Sequence, residues 1–253
     1  MAKKRGRKIP IPFSRKCMMD FIYFSKKMSY HLVSAETHFN LEALSALRKQ
    51  CAKPVSWYAI FIKAFAYISQ QYPELRKHLF SYPYTYLYQY SRVVAMLAIE
   101  REIQHENMVM YLKIDSPEKL SLESIAQLIH ESKTQTPEEN LNFRRFLKFN
   151  RFPFLLRRLY WWMGIHLPIF RLHYFGTFGV TGAGKDLTSL SIKSPVGINF
   201  VFNSQTGLFR LFWDHRLFDG VIVKHMLTDL EYYLNGPILQ ELEKMAQNET
   251  SVV

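Results

Sequence analysis

The chain has 253 residues, 48% of them hydrophobic, a formal net charge of +12 and two cysteines, Cys17 and Cys51. The apolar content supports one packed domain over 1–253, while two cysteines without paired spacing or histidine clusters exclude a disulfide framework and a structural zinc site and fit a reducing, cytoplasmic setting. The N-terminus MAKKRGRKIPIPF lacks the apolar run of a secretory signal and no stretch is apolar enough to span a bilayer, so the charge points to an anionic partner: nucleic acid, a membrane surface or a phosphorylated cofactor.

Residues 14–29 read as a first helix, HLVSAETHF (31–39) as a strand, and Asn40 as the cap of a short helix, LEALSALRKQ. Ser56 opens WYAIFIKAFAYISQQ, a helix apolar over most of its surface and stopped by Pro73, which must lie deep in the structure. SRVVAMLAIER and ENMVMYLKI, separated by a polar turn, predict paired strands, and Ser121 predicts an amphipathic helix to about Lys133. Near the C-terminus, GINFVFN and LFRLFWD flank the turn-rich NSQTG and predict a hairpin. Val223, Met226, Leu227, Leu230 and Leu234 then recur at helical spacing. Strands interspersed with helices, with at least one hairpin, predict an α/β sandwich: a mixed sheet covered by helices.

From Asn140 to Lys185 there is no acidic residue, and Arg and Lys alternate with Phe, Tyr and Trp through about 141–175. Three readings fit this basic aromatic segment. It is a helical hairpin, kinked at Pro153 and Pro168, with its arginines snorkelling to water; a membrane-contacting surface or lipid-substrate site; or a single-strand nucleic-acid platform. Charge alone motivates the last, which is expected not to hold.

GTFGVTGAGKDLTSL (176–190) approaches a phosphate loop, but Asp186 stands where a hydroxyl must reach Mg²⁺, and the β-branched continuation, broken by Pro195 and Gly197, does not read as a helix. A nucleotide site is rejected on that mechanism. The chemistry instead gathers at WDHRLFDG (213–220), between an apolar strand and an amphipathic helix. His215 in such a turn is a candidate general base for a thiol or hydroxyl. Asp219 can cap the helix or pair with a cation and so fix the loop, Asp214 closes the strand, and Gly220 permits a tight turn.

DHRLFDG resembles the DHR-x-x-DG signature of the dihydrolipoamide acyltransferase catalytic domain of 2-oxoacid dehydrogenase complexes, a relative of chloramphenicol acetyltransferase. The segments 14–49, 53–79, 91–114 and 121–133 resemble that family's successive helices and strands in order, and GTFGVTGAG resembles its GTFTISNLG strand and turn, with Thr181 at the oxyanion-stabilising serine and Gly184 at the final glycine. The resemblance implies the chloramphenicol acetyltransferase-like fold and a homotrimer in which His215 of one copy faces Thr181 of its neighbour. Coenzyme A enters the shared channel from one side and the acyl acceptor from the other. It also implies coenzyme A (acyl-CoA) as substrate, no metal, and a structural role for Asp219, through an arginine such as Arg15.

Several departures modify the expectation. Lipoyl and subunit-binding domains are not seen, so the reading is of a stand-alone acyltransferase that carries no covalent lipoyl group and would serve any lipoyl domain in trans. The 141–175 segment looks like an insertion, which implies changed acceptor recognition and a lipid-like acceptor or a position peripheral to a membrane. The contrasting reading is a catalytically silent trimeric scaffold docked to a membrane through that segment.

Overall fold

The computed structural model describes residues 13, 16, 20, 23, 31–51, 55–103, 105–182 and 194–250. Its centre is a six-stranded mixed sheet in the order β1-β8-β7-β6-β4-β5. The strands are β1 (Leu32–His38), β4 (Val94–Ile103), β5 (Glu106–Asp115), β6 (Phe178–Gly182), β7 (Ile198–Phe202) and β8 (Leu208–Asp214). β6 runs parallel to β4 and β7, and the remaining pairs are antiparallel. A separate hairpin, β2 (Lys77–Phe80) and β3 (Tyr86–Gln89), went unread in the sequence because its tyrosines break the apolar alternation.

One face of the sheet is built for burial. Residues of α2 (Trp57–Gln71) are buried at ten of fifteen positions, and Phe65 packs edge-on to Phe178 at 4.8 Å while Phe61 stacks on Phe202 at 4.3 Å. The predicted helix is thus the core helix, ended by Tyr72 and Pro73. α1 (Glu42–Gln50) begins after Asn40, whose Oδ1 accepts a bond from the Glu42 amide at 3.0 Å. α3 (Leu122–Thr134) is capped as expected, with Ser121 Oγ accepting from the Ser124 amide at 3.1 Å. Lys63, buried in this core, donates to Glu241 at 2.5 and 2.7 Å.

The 141–175 segment is three helices rather than a kinked hairpin: α4 (Leu141–Asn150), α5 (Phe154–His166) and α6 (Pro168–Phe175). Pro153 and Pro168 stand at the starts of α5 and α6 instead of bending one helix, since each would leave a clash and a missing donor within a continuous helix. α4 lies along β5, with Phe143 and Leu147 joining the main core; Trp161, Ile165 and Phe175 form a second cluster with Val196. The structural-cover reading therefore accounts for part of this segment.

The β7–β8 hairpin forms as expected: Asn203 Oδ1 accepts from the Gln205 and Thr206 amides, and Gly207 takes φ +71° where an added Cβ would lie 2.2 Å from Phe39 O. α7 (Gly220–Tyr233) follows, burying Val223, Met226 and Leu230. It continues through a π-helical turn, Leu234–Ile238, into α8 (Leu239–Thr250); the wider turn accommodates Pro237, so the final helix is longer than its apolar repeat indicated. Of the predicted first helix, Lys16, Asp20 and Tyr23 are described and each is helical; Cys17 and Arg15 lie outside the described residues.

Candidate active site

Side chains alternate across β6, so Phe178, Val180 and Gly182 face α2 while Gly179 and Thr181 face the other way. Both glycines mark close approaches: a Cβ at Gly182 would meet Tyr58 Oη at 1.9 Å, and one at Gly179 would meet Asn199 Oδ1 at 2.3 Å. Asn199 is itself fixed, donating from Nδ2 to Val196 O at 2.8 Å. Thr181 thus stands half-buried on the strand and borders a cavity of about 410 Å³. Gly184 lies outside the described residues.

The other predicted group is built at the end of β8. Asp214 is buried and accepts from Arg216 at three points: the backbone amide (3.1 Å), Nε (2.9 Å) and Nη2 (2.6 Å). That pairing raises the Arg216 pKa and closes the turn around His215. Trp213 braces the turn from below, stacking on Phe218 and donating from Nε1 to Phe218 O at 3.0 Å. The His215 amide donates to His31 O at 2.9 Å, leaving the imidazole 51% exposed with Nδ1 3.4 Å from Asp219 Oδ1. Asp219 occupies the N-cap position of α7 but makes no side-chain capping bond; its partner is the histidine. A carboxylate at Nδ1 favours the tautomer that leaves Nε2 free to take a proton. Gly220 opens α7 with open space where a Cβ would stand.

The structure brings His215, Asp214, Asp219 and Gly220 together, and it sets Thr181 apart from them. Thr181 is in register with Val201, and Val201 with Arg210, five positions before His215. At ~3.4 Å per residue and ~4.8 Å per strand, the backbone positions of the two residues in one chain are about 19 Å apart.

No family model and no curated protein matches the chain. Solved structures do. The probable dihydrolipoamide acetyltransferase of Listeria monocytogenes 4b F2365 matches with a TM-score of 0.58 at 16% identity, over 95% of each chain. The truncated catalytic core of the 2-oxoacid dehydrogenase multienzyme complex of Thermoplasma acidophilum matches with a TM-score of 0.63 at 15% identity, over 92% of this chain and 99% of that one. A chloramphenicol acetyltransferase matches at 0.51 and 12% identity, over 90% and 100%. The chain has the chloramphenicol acetyltransferase-like acyltransferase fold.

On that fold the 141–175 helices roof part of the sheet face that carries Thr181. Arg171 of α6 is fully buried and donates from Nη2 to Pro195 O at 2.6 Å; burial lowers its pKa to about 10, partly offset by Tyr90 and by the Asp214 carboxylate of the histidine turn. His78 is buried close by, its pKa held well below the usual value by burial and then by the charges of Arg171 and Arg216. His173, at the cavity, is lowered by burial and by Lys113 and Arg145. None of these was legible in sequence: Arg171 is one of many arginines in its segment, and burial alone distinguishes it. Among the described residues no group of His, Cys, Asp or Glu is placed to hold a metal ion, and no helix is long and apolar enough to cross a membrane.

Proposed function

We propose that this chain is a coenzyme A-dependent acyltransferase, with a site that takes His215 from one copy and Thr181 from the next. The observation that carries this is His215 on an exposed, braced turn with Nδ1 beside Asp219, in a chain with the fold of acyltransferase catalytic domains. In support, the study of the Azotobacter vinelandii dihydrolipoamide acetyltransferase concerned the catalytic roles of a serine, a histidine and an asparagine four residues after it, the spacing of His215 and Asp219.

In the proposed reaction, His215 Nε2 takes the proton from an acceptor thiol or hydroxyl, whose S or O attacks the thioester carbonyl. Thr181 Oγ1 donates to the oxyanion that forms, a preorganised contact worth about 3 kcal/mol. The C–S bond then breaks, and the coenzyme A thiolate leaves with the proton held by His215. The products are acylated acceptor and free coenzyme A; no covalent enzyme intermediate is involved, so Cys17 and Cys51 are dispensable. The separation of about 19 Å within one chain requires a second copy to complete each site, which the trimer supplies. A lipoyl domain acting in trans is one acceptor class, and dihydrolipoamide is its probe.

The test is thiol release from a panel of acyl-CoA donors, with and without dihydrolipoamide. His215→Ala is expected to lower turnover by about 10²- to 10⁴-fold, and Thr181→Val, which keeps the shape and removes the hydroxyl, by about 10²- to 10³-fold, with the fold of both retained by circular dichroism. Turnover unchanged in His215→Ala would refute the assignment.

A second reading concerns location, and with no catalysis it becomes the silent scaffold. Leu155 is 78% and Ile169 82% exposed on the roof helices, with Phe154 and Leu159 also exposed, in a segment without a single acidic residue. Such a face suits the interface of an anionic bilayer. Co-sedimentation with phosphatidylglycerol vesicles but not phosphatidylcholine vesicles, abolished by Leu155→Glu with Ile169→Glu, is the expected outcome; equal recovery with both lipids would oppose it.

A further inference from the structure

We infer that the cavity between the sheet and the 141–175 helices is the acyl-chain pocket of this site, and that it takes a medium- to long-chain fatty acyl group. The inference rests on the acyltransferase reading for the identity of the thioester, though not for the existence of the pocket.

Continuity is the first argument. Gly179 and Thr181 both line the cavity, so a carbonyl held at the Thr181 hydroxyl has its substituent facing that space. The floor is low because Gly179 lacks a side chain and Asn199 is folded back onto Val196 O.

Shape is the second. Outward-facing residues of β5 from Asn107 to Lys113 border the cavity, a run of roughly 20 Å at ~3.4 Å per residue. A cavity of about 150 Å³ holds a six-carbon ring, so 410 Å³ accommodates roughly sixteen carbons and far exceeds an acetyl group. A long slot of this capacity suits a flexible chain better than a compact ring.

Lining chemistry is the third. The inner wall is Met96, Trp161, Phe175 and Val196, with Phe146 on the roof. The Met96 thioether adapts to a chain of variable conformation. Exposed Arg145 together with Lys113 outweighs the Glu100 carboxylate on the same cavity, a balance that suits the phosphates of an acyl-CoA. Trp161, Phe175 and Phe146 all belong to the 141–175 segment, so the segment that departs from the resembled family supplies the roof.

Two measurements separate the pocket from the catalysis. In the first, full-length His215→Ala protein is loaded with the fluorescent fatty acid cis-parinaric acid; dodecanoyl-CoA and dodecanoate are expected to displace it, whereas free coenzyme A and acetyl-CoA do not. Val109→Trp, on the exposed edge strand one side-chain repeat beyond the Thr181 row, fills the slot and is expected to weaken dodecanoyl-CoA binding at least tenfold. In the second, wild-type kcat/KM is compared for donors from acetyl-CoA to hexadecanoyl-CoA. It is expected to rise at least tenfold by twelve carbons, with that ratio collapsing in Val109→Trp and the preferred length increasing in Phe146→Ala. Thiol release that favours acetyl-CoA, with Val109→Trp and Phe146→Ala leaving the length profile unaltered, overturns the pocket and leaves the acyltransferase standing. Chain binding sensitive to Val109→Trp, with no thiol release from any donor, keeps the pocket and overturns the acyltransferase. Absence of both binding and chain-length dependence overturns the inference outright.

Discussion

Mixing two inactive variants tests whether the site is shared between copies. His215→Ala and Thr181→Val each retain one catalytic side chain, and the strand register separates the two positions by about 19 Å, too far for one chain to serve both ends of a thioester. In a closed head-to-tail ring every site takes His215 from one copy and Thr181 from the next. If the variants mix at random in equal amounts, about one quarter of sites join an intact histidine to an intact threonine, whatever the size of the ring. Each parent is expected to retain at most about 1% of wild-type turnover, so mixed oligomers should recover about 25-fold or more over either parent. The complementary arm mixes wild type with the double variant. A shared site leaves about one quarter of sites intact, while a site within one chain leaves about one half. The assay is thiol release from the whole oligomer population assembled by co-expression of two differently tagged chains, with mixing verified by pull-down through either tag. Activity no greater than the mean of the parents in verified mixed oligomers, with one half retained in the second arm, would show that each chain works alone and would refute the geometric argument.

Three further outcomes follow from the packing. Lys63→Met leaves Glu241 still accepting from the Leu122 amide, and because the Glu241 side chain stays 27% exposed the expected loss is about 2 kcal/mol, below the range for fully buried pairs; urea unfolding measures it, and adding Glu241→Gln should restore part of the loss. Gly179→Ala drives a Cβ to 2.3 Å from Asn199 Oδ1 and displaces the Asn199 bond to Val196 O, at a cost of about 1–3 kcal/mol by the same measurement; an unchanged midpoint would mean that Asn199 moves freely. His78 has a folded-state pKa below its unfolded one, so the unfolded chain binds the proton first and stability falls as pH drops below about 6.5, by up to ~1.4 kcal/mol per pH unit; urea midpoints between pH 7 and 5.5 should flatten in His78→Phe.

The frame of this molecule is readable from its sequence where local pattern and tertiary demand agree. WYAIFIKAFAYISQQ is apolar on nearly every side because it is surrounded, SRVVAMLAIER opens as a continuous apolar run because β4 is covered on both faces there, and ENMVMYLKI alternates because one face of edge strand β5 meets the core. The histidine turn is legible for a related reason: a charged run between an apolar strand and an amphipathic helix is conspicuous. Thr181 is not, since FGVTG is too short and too glycine-rich to announce a strand, and only its resemblance singles it out. Proline misled at 153 and 168, where the sequence cannot say whether it bends a helix or separates two. Arg171, His78 and Asn199 were invisible because their roles depend on burial, which contacts distant in sequence create.

The sheet divides its labour by face, and β6 shows why the site depends on that division. Phe178 and Val180 fill space against α2, whereas Gly179 and Thr181, alternating with them, leave space on the other side. A slip of one residue would turn Phe178 and Val180 into the cavity and bury the threonine hydroxyl against α2. The register is therefore held from outside the strand: Thr177 Oγ1 both donates to Val94 O and accepts from the Val94 amide, each at 3.0 Å, and Gly176 at φ +65° fits within 2.6 Å of the same carbonyl, measured from where its Cβ would stand. Those contacts come immediately after α6, so the end of the 141–175 helices and the start of β6 are fixed at one point on β4. Helices joined there can roof the sheet without disturbing the strand that carries Thr181, so the roof and the strand can vary independently.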